Sequence, residues 1–124
     1  MRKRLTRPPR RLAAQCLYIR KHFCEPIVIE ELAGRAGCST TQFIAMFRRF
    51  YGTSPKNYVT SLRLGRAKLL LVLTDWPIFE VSLSCGYMNE FYFYRLFRRR
   101  FGITPSAYRE KLLREKRGNT ECLL

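Results

Sequence analysis

Two arginine clusters dominate the chemistry available to this sequence. Arg48-Arg49 and Arg98-Arg99-Arg100 each close a segment rich in phenylalanine, and the second cluster begins 50 residues after the first. A guanidinium is planar, permanently charged and a donor only, so it suits phosphate oxygens and guanine edges rather than proton transfer. Arginine supplies 18 of the 24 basic residues, which face nine acids for a formal charge of +15. Such a balance points to a polyanionic partner.

Bond-making chemistry has little to work with. The single histidine, His22, falls near the end of an amphipathic stretch, where a helix-end cation is expected rather than a ligand or base. Cys16, Cys24, Cys38, Cys85 and Cys122 form no C-x-x-C pair and no zinc-type set with it. Reduced thiols are expected, with Cys38 and Cys85 at core positions, in a cytoplasmic protein. No Ser-His-Asp set or pair of carboxylates stands out. Neither enzymatic activity nor a metal or cofactor is expected. No apolar run approaches the ~18 residues needed to span a bilayer. Residues 2–11 are not followed by the apolar stretch of a secretory signal, so no membrane partner is expected.

An internal repeat positions the arginines. Phe43, Phe47, Gly52, Pro55 and Tyr58 recur 50 residues later as Phe93, Phe97, Gly102, Pro105 and Tyr108. Upstream, Glu31 and Gly37 recur 49 residues later as Glu80 and Gly86. One extra residue therefore lies in the second copy between Gly86 and Asn89.

Each copy has the pattern of a helix, a turn and a second helix. Ile29, Leu32, Ala33 and Ala36 recur at helical spacing, and Gly37 supplies a left-handed stop. Ser39 caps the next helix, with Phe43, Met46, Phe47 and Phe50 on its apolar face. The second copy repeats this with Ile78, Val81, Ser82 and Cys85, the stop Gly86, the cap Asn89, and the stripe Phe93, Leu96 and Phe97. Pro77 suits a helix start.

Between the copies, Ser54 and Pro55 open a helix predicted to run to about Leu73. Gly65 inside it costs ~1 kcal/mol against alanine. Roughly 19 residues make a rod of about 28 Å, close to the ~34 Å between successive major-groove faces on one side of B-DNA. A packing helix is predicted over residues 12–23, with Leu12, Cys16, Ile19 and Phe23 on one face. A last helix is predicted over residues 106–117, ending near Gly118. The expected architecture is all-α: a basic flexible arm (1–11), a first helix-turn-helix subdomain (12–53), a linker helix (54–74), a second such subdomain (75–117) and a flexible tail (118–124).

With the phenylalanines turned inward, each second helix offers its opposite face to a partner. That face is Thr40, Thr41, Ile44, Ala45 and Arg48 in copy one, and Glu90, Phe91, Tyr94, Arg95 and Arg98 in copy two. Arg95 has the fork that fits guanine O6 and N7. Glu90 either accepts from cytosine N4 or serves the helix dipole. Arg48, Arg49, Arg98, Arg99 and Arg100 are expected on phosphates, setting register without reading sequence. The helix N-terminal amides beside Ser39 and Asn89 can also hold phosphate oxygens, and Thr40 and Tyr94 are grouped with these backbone contacts.

Residues 12–109 resemble the DNA-binding domain of the AraC/XylS family of bacterial transcription regulators. The most specific part is Gly86-Tyr87 through Phe93-x-Arg95-x-Phe97, followed by Phe101-Gly102-Ile103-Thr104-Pro105-Ser106-Ala107-Tyr108-Arg109. Copy one matches through Phe47, Gly52-Thr53-Ser54-Pro55-x-x-Tyr58 and Arg63-x-x-x-Ala67-x-x-Leu70. The resemblance implies seven helices in two subdomains joined by a long helix. It also implies binding to double-stranded promoter DNA, mostly as an activator, with RNA polymerase as a further partner. Base readers implied by the family pattern are Thr41, Ile44 and Ala45, and Phe91, Tyr92 and Arg95. Arginine is frequent in the family at the position held here by Ala45. The three copy-one residues offer almost no bidentate hydrogen bonding, so pressure on thymine methyls and phosphate contacts are expected there. Most members carry a separate effector-binding or dimerisation domain, which is not found in this chain. A single-domain member or an excised C-terminal fragment is expected, with Arg2-Lys3-Arg4 and Pro8-Pro9 as a linker remnant. The alternative function is sequence-tolerant or architectural nucleic-acid binding.

Overall fold

The computed structural model describes residues 7–123, with side chains described as far as residue 118. Seven helices follow one another: α1 (Arg10–His22), α2 (Ile29–Arg35), α3 (Thr40–Tyr51), α4 (Pro55–Leu73), α5 (Ile78–Ser84), α6 (Glu90–Phe101) and α7 (Pro105–Leu123). No strand occurs among the described residues. The all-α expectation holds, with two helix-turn-helix pairs and a long helix between them in chain order.

Local chemistry fixes the ends of the two second helices. Ser39 and Gln42 form a reciprocal box at the start of α3: the Gln42 backbone N–H donates to Ser39 Oγ, and the Ser39 backbone N–H donates to Gln42 Oε1, both at 3.1 Å. At α6 the Tyr92 N–H donates to Asn89 Oδ1 at 3.1 Å. Both helices end on a glycine with φ near +75°, Gly52 and Gly102, a conformation that costs a side-chain-bearing residue ~1 kcal/mol or more. Prolines then restart the chain as the buried first residues of α4 and α7.

The chain forms two compact units, and the division falls inside α4, between Leu62 and Arg63. The first core gathers Leu12, Cys16 and Ile19 of α1, Leu32 and Ala33 of α2, Phe43 and Phe47 of α3 and Val59 of α4. The second gathers Leu64, Ala67 and Leu71 of α4, Val81 of α5, Cys85 and Tyr87 of the turn, and Phe93 and Phe97 of α6. Helix α4 thus closes the first unit with its first half and opens the second with the rest, in the role α1 plays for the first.

The packing is copied as faithfully as the sequence. The rings of Phe43 and Phe47 lie 5.9 Å apart at 52°, and those of Phe93 and Phe97 do the same. Phe47 meets Tyr58 edge-on at 5.4 Å, and Phe97 meets Tyr108 edge-on at 5.7 Å. Tilted aromatic pairs of this kind add about 0.5–1.5 kcal/mol beyond burial of area. At the rim of the first core, Arg20 donates to the Tyr58 hydroxyl at 3.0 Å. Burial, with Cys16 adding to it, pushes the Tyr51 phenol up to about 12 and raises Tyr58 as well.

Two expectations need adjustment. Helix α1 begins at Arg10, because Pro9 fixes the chain just ahead of it and arginines are good helix formers; residues 1–6 of the expected arm lie outside the described residues. Helix α7 does not stop near Gly118 but continues to Leu123, since one glycine lowers helix propensity without a left-handed turn or a proline to end the helix. His22 lies in the last turn of α1, where its ring stacks on Tyr18 at 4.4 Å and its Nδ1 lies 3.1 Å from Glu25 Oε2. Cys85 is fully buried in the second core and Cys38 packs against the first, as their apolar positions imply.

Gly65, midway along α4, has nothing within 4 Å of where a Cβ would stand. Gly65→Ala is therefore expected to stabilise the chain by about 0.5–1 kcal/mol. A thermal melt is expected to show the midpoint rising by roughly 2–5 °C; a fall would mean that α4 needs the glycine for another reason.

Candidate nucleic-acid interface

In the first unit, α3 buries Phe43 and Phe47 completely and leaves Thr41, Ala45, Arg48 and Arg49 exposed. Thr40 and Ile44 are half-buried. They line a recess of about 220 Å³ with Ile29, Glu30, Ser54, Pro55 and Lys56, so Ile44 offers part of its side chain outward rather than all of it. The Arg49 guanidinium lies 5.3 Å from the Phe50 ring centre, which shields its stem and leaves its charge at the surface. Helix α3 contains no acid.

In the second unit, α6 likewise buries Phe93 and Phe97. Phe91, Tyr92, Arg95, Arg98, Arg99 and Arg100 are exposed, and Glu90, the only acid on the helix, is half-buried. The tyrosines divide their roles. Tyr94 shares a 2.8 Å hydrogen bond with Ser106 Oγ, which ties its hydroxyl to the start of α7. Tyr92 leans edge-on against Tyr87 at 6.0 Å, and the Arg95 guanidinium stands 5.9 Å from the Tyr92 ring centre. Arg95 has no acid partner among the described ion pairs. Ser39 and Asn89 sit exposed at the helix starts, already engaged as caps.

Each unit thus presents one helix whose inner face is phenylalanine and whose outer face is arginine and small or aromatic side chains. Such a face can grip a phosphate backbone and press on base edges. Among the described residues no group of histidine, cysteine or acid could hold a metal ion, and no helix is long and apolar enough to cross a membrane.

Three features escaped sequence reasoning. Arg63 lies 5.1 Å from the Tyr87 ring centre, and Arg66 donates to Ser84 Oγ at 3.2 Å. Both arginines lie on α4 and reach partners about 20 residues away, which no local pattern announces. Met88 is the third: the one-residue excess in the second turn was the signal, and the structure turns it into a 90% exposed side chain.

Residues 32–111 match a family model described as a helix-turn-helix domain. SoxS from Escherichia coli strain K12 is 35% identical over 95 residues, covering 77% of this chain and 89% of SoxS. The chain belongs to the AraC/XylS family of transcription regulators. ExsA of Pseudomonas aeruginosa is another relative, 30% identical over 106 residues, or 86% of this chain and 36% of ExsA. With two further regulators matched over similar stretches, the chain spans only 27–37% of the relative's length. Among solved structures, the DNA-binding domain of AdpA in complex with a target DNA superimposes with a TM-score of 0.76 at 31% identity, covering 86% of this chain and 93% of that domain. The two-unit, seven-helix architecture is that of the AraC-type DNA-binding domain.

Proposed function

We propose that this AraC-type domain binds double-stranded promoter DNA sequence-specifically, with α3 and α6 entering adjacent major grooves. The observation that carries this is the duplicated packing: two phenylalanine pairs of the same geometry turn two helices so that their arginine-bearing faces meet solvent. The likeness to a domain crystallised on its target DNA supports it. In this scheme Arg95 reads a guanine, with Glu90, Phe91 and Tyr92 beside it, while Thr41, Ile44 and Ala45 meet bases in the first groove. Arg48, Arg49, Arg98, Arg99 and Arg100 hold phosphates, joined by Thr40, Tyr94 and the helix starts at Ser39 and Asn89. The domain works in the cytoplasm without catalysis, and activation proceeds through RNA polymerase.

Selection of bound duplexes from a random library tests the proposal and supplies the operator. Against the selected duplex, Arg95→Ala is expected to lose ~1–3 kcal/mol of binding and to relax one base position. Arg99→Ala is expected to weaken all duplexes alike. An Arg95→Ala protein with unchanged affinity and footprint would remove that residue from base reading. If the library yields no preferred duplex and binding is merely salt-sensitive, the domain is a sequence-tolerant binder instead.

A further inference from the structure

The second turn differs from the first by one residue, and the backbone shows which one. In the first unit the Cys38 N–H donates to the Ala33 carbonyl at 3.0 Å, and Ser39 follows at once as the cap. In the second the Tyr87 N–H makes the equivalent bond to the Ser82 carbonyl at 3.0 Å, but the cap is Asn89. Tyr87 therefore stands where Cys38 does, and Met88 is the inserted residue.

Its neighbours are pinned on both sides. Tyr87 is buried, and its carbonyl accepts a hydrogen bond from the buried Ser82 hydroxyl at 3.2 Å. Asn89 is held by its cap bond from the Tyr92 N–H. Between these anchors the Met88 side chain remains 90% exposed, and Phe91, in the first turn of α6, is 78% exposed. Single apolar residues on a surface are ordinary. Here the two most exposed large apolar side chains among the described residues fall three residues apart, at the tip of a helix whose further exposed residues are Tyr92 and four arginines. The first unit has Thr41 where Phe91 stands, and nothing in place of Met88.

We propose that Met88 and Phe91 form an apolar tip that takes the 5-methyl groups of thymine, and that Met88 is a specificity-determining residue although it lies outside the reading helix. This rests on the DNA-binding function proposed above. The thymine methyl is the apolar feature that base pairs display in the major groove. A flexible thioether and a flat ring are suited to covering it while the flanking arginines hold the backbone. The second unit then reads thymine beside the guanine assigned to Arg95.

The test uses the full chain and the duplex selected from the library. Each thymine under the second half-site is exchanged for uracil, which removes one methyl group and keeps every hydrogen-bonding edge. Wild-type binding is expected to weaken about threefold to fivefold at one or two positions, the worth of one buried methyl. Exchanging the same pairs for 5-methylcytosine opposite guanine is expected to restore more of the affinity than cytosine does. Met88→Ala and Phe91→Ala are expected to bind thymine and uracil duplexes equally at the position each covers; both side chains are exposed, so folding is retained. Uracil tolerance throughout in the wild type overturns the proposal while leaving selective DNA binding intact. Undiminished methyl sensitivity in Met88→Ala overturns the assignment of that residue. A library that yields no preferred duplex removes the DNA-reading function, and this proposal with it.

Discussion

Phe97→Ala is expected to cost ~3–5 kcal/mol of stability, enough to unfold much of the second unit near physiological temperature. The side chain is fully buried, with the rings of Phe93, Phe101 and Tyr108 at 5.9, 4.7 and 5.7 Å. Its removal forfeits the transfer energy of a large aromatic and leaves a cavity that the surrounding core only partly fills. Small domains hold only about 5–15 kcal/mol in total. Trp76, the single tryptophan, lies in the second unit. Its fluorescence during urea titration is expected to lose its midpoint early, while helical circular dichroism retains the transition of the first unit. Phe47→Ala is expected to cost as much, because its ring environment is nearly the same, but to leave the Trp76 transition in place. A Phe97→Ala protein within ~1 kcal/mol of its parent would show that the ring is not the keystone of that core.

Raising salt from 50 to 200 mM is expected to weaken binding to the selected duplex by about 500-fold. Five arginines are proposed on phosphates, and each neutralised phosphate releases counterions, giving a slope near −0.9 per contact in log K against log salt. Five contacts thus give a slope of about −4.5. Arg99→Ala is expected to make the slope shallower by about 1, and Arg95→Ala to change it little if its fork is on a base. These readouts separate grip from reading. A wild-type slope shallower than about −2 would contradict five phosphate contacts.

Much of this was legible in the sequence because duplication makes weak signals strong. One helical hairpin with a glycine turn is commonplace, whereas Phe43/Phe47 and Phe93/Phe97 in matching frames, each with a cap before and a glycine and proline after, leave little freedom. The outer faces followed from the inner ones by helical geometry alone. What stayed hidden depends on contacts far apart in the chain. Arg109 donates to the carbonyls of Leu71 at 2.8 Å and Thr74 at 3.3 Å, satisfying the end of α4 from α7. Nothing near Arg109 in sequence announces that task. The recess that takes part of Ile44 likewise forms where α2, α3 and the start of α4 meet. The length of α7 is hidden too, because Gly118 resembles a stop in sequence yet lies inside a helix that runs to Leu123.

The shared use of α4 shows what a helix needs in order to seed a unit. Helix α7 has the same 19-residue length and the same proline start, so it could in principle seed another unit. In α4 the seeding residues are Leu64, Ala67 and Leu71; the corresponding positions 50 residues on are Arg114, Arg117 and Glu121. Arg114 and Arg117 are solvated. Arg114 and Arg117 put charge where α4 has Leu64 and Ala67, so this face of α7 does not gather a core as α4 does, much as the hydrophilic faces of terminal modules do in tandem-repeat proteins.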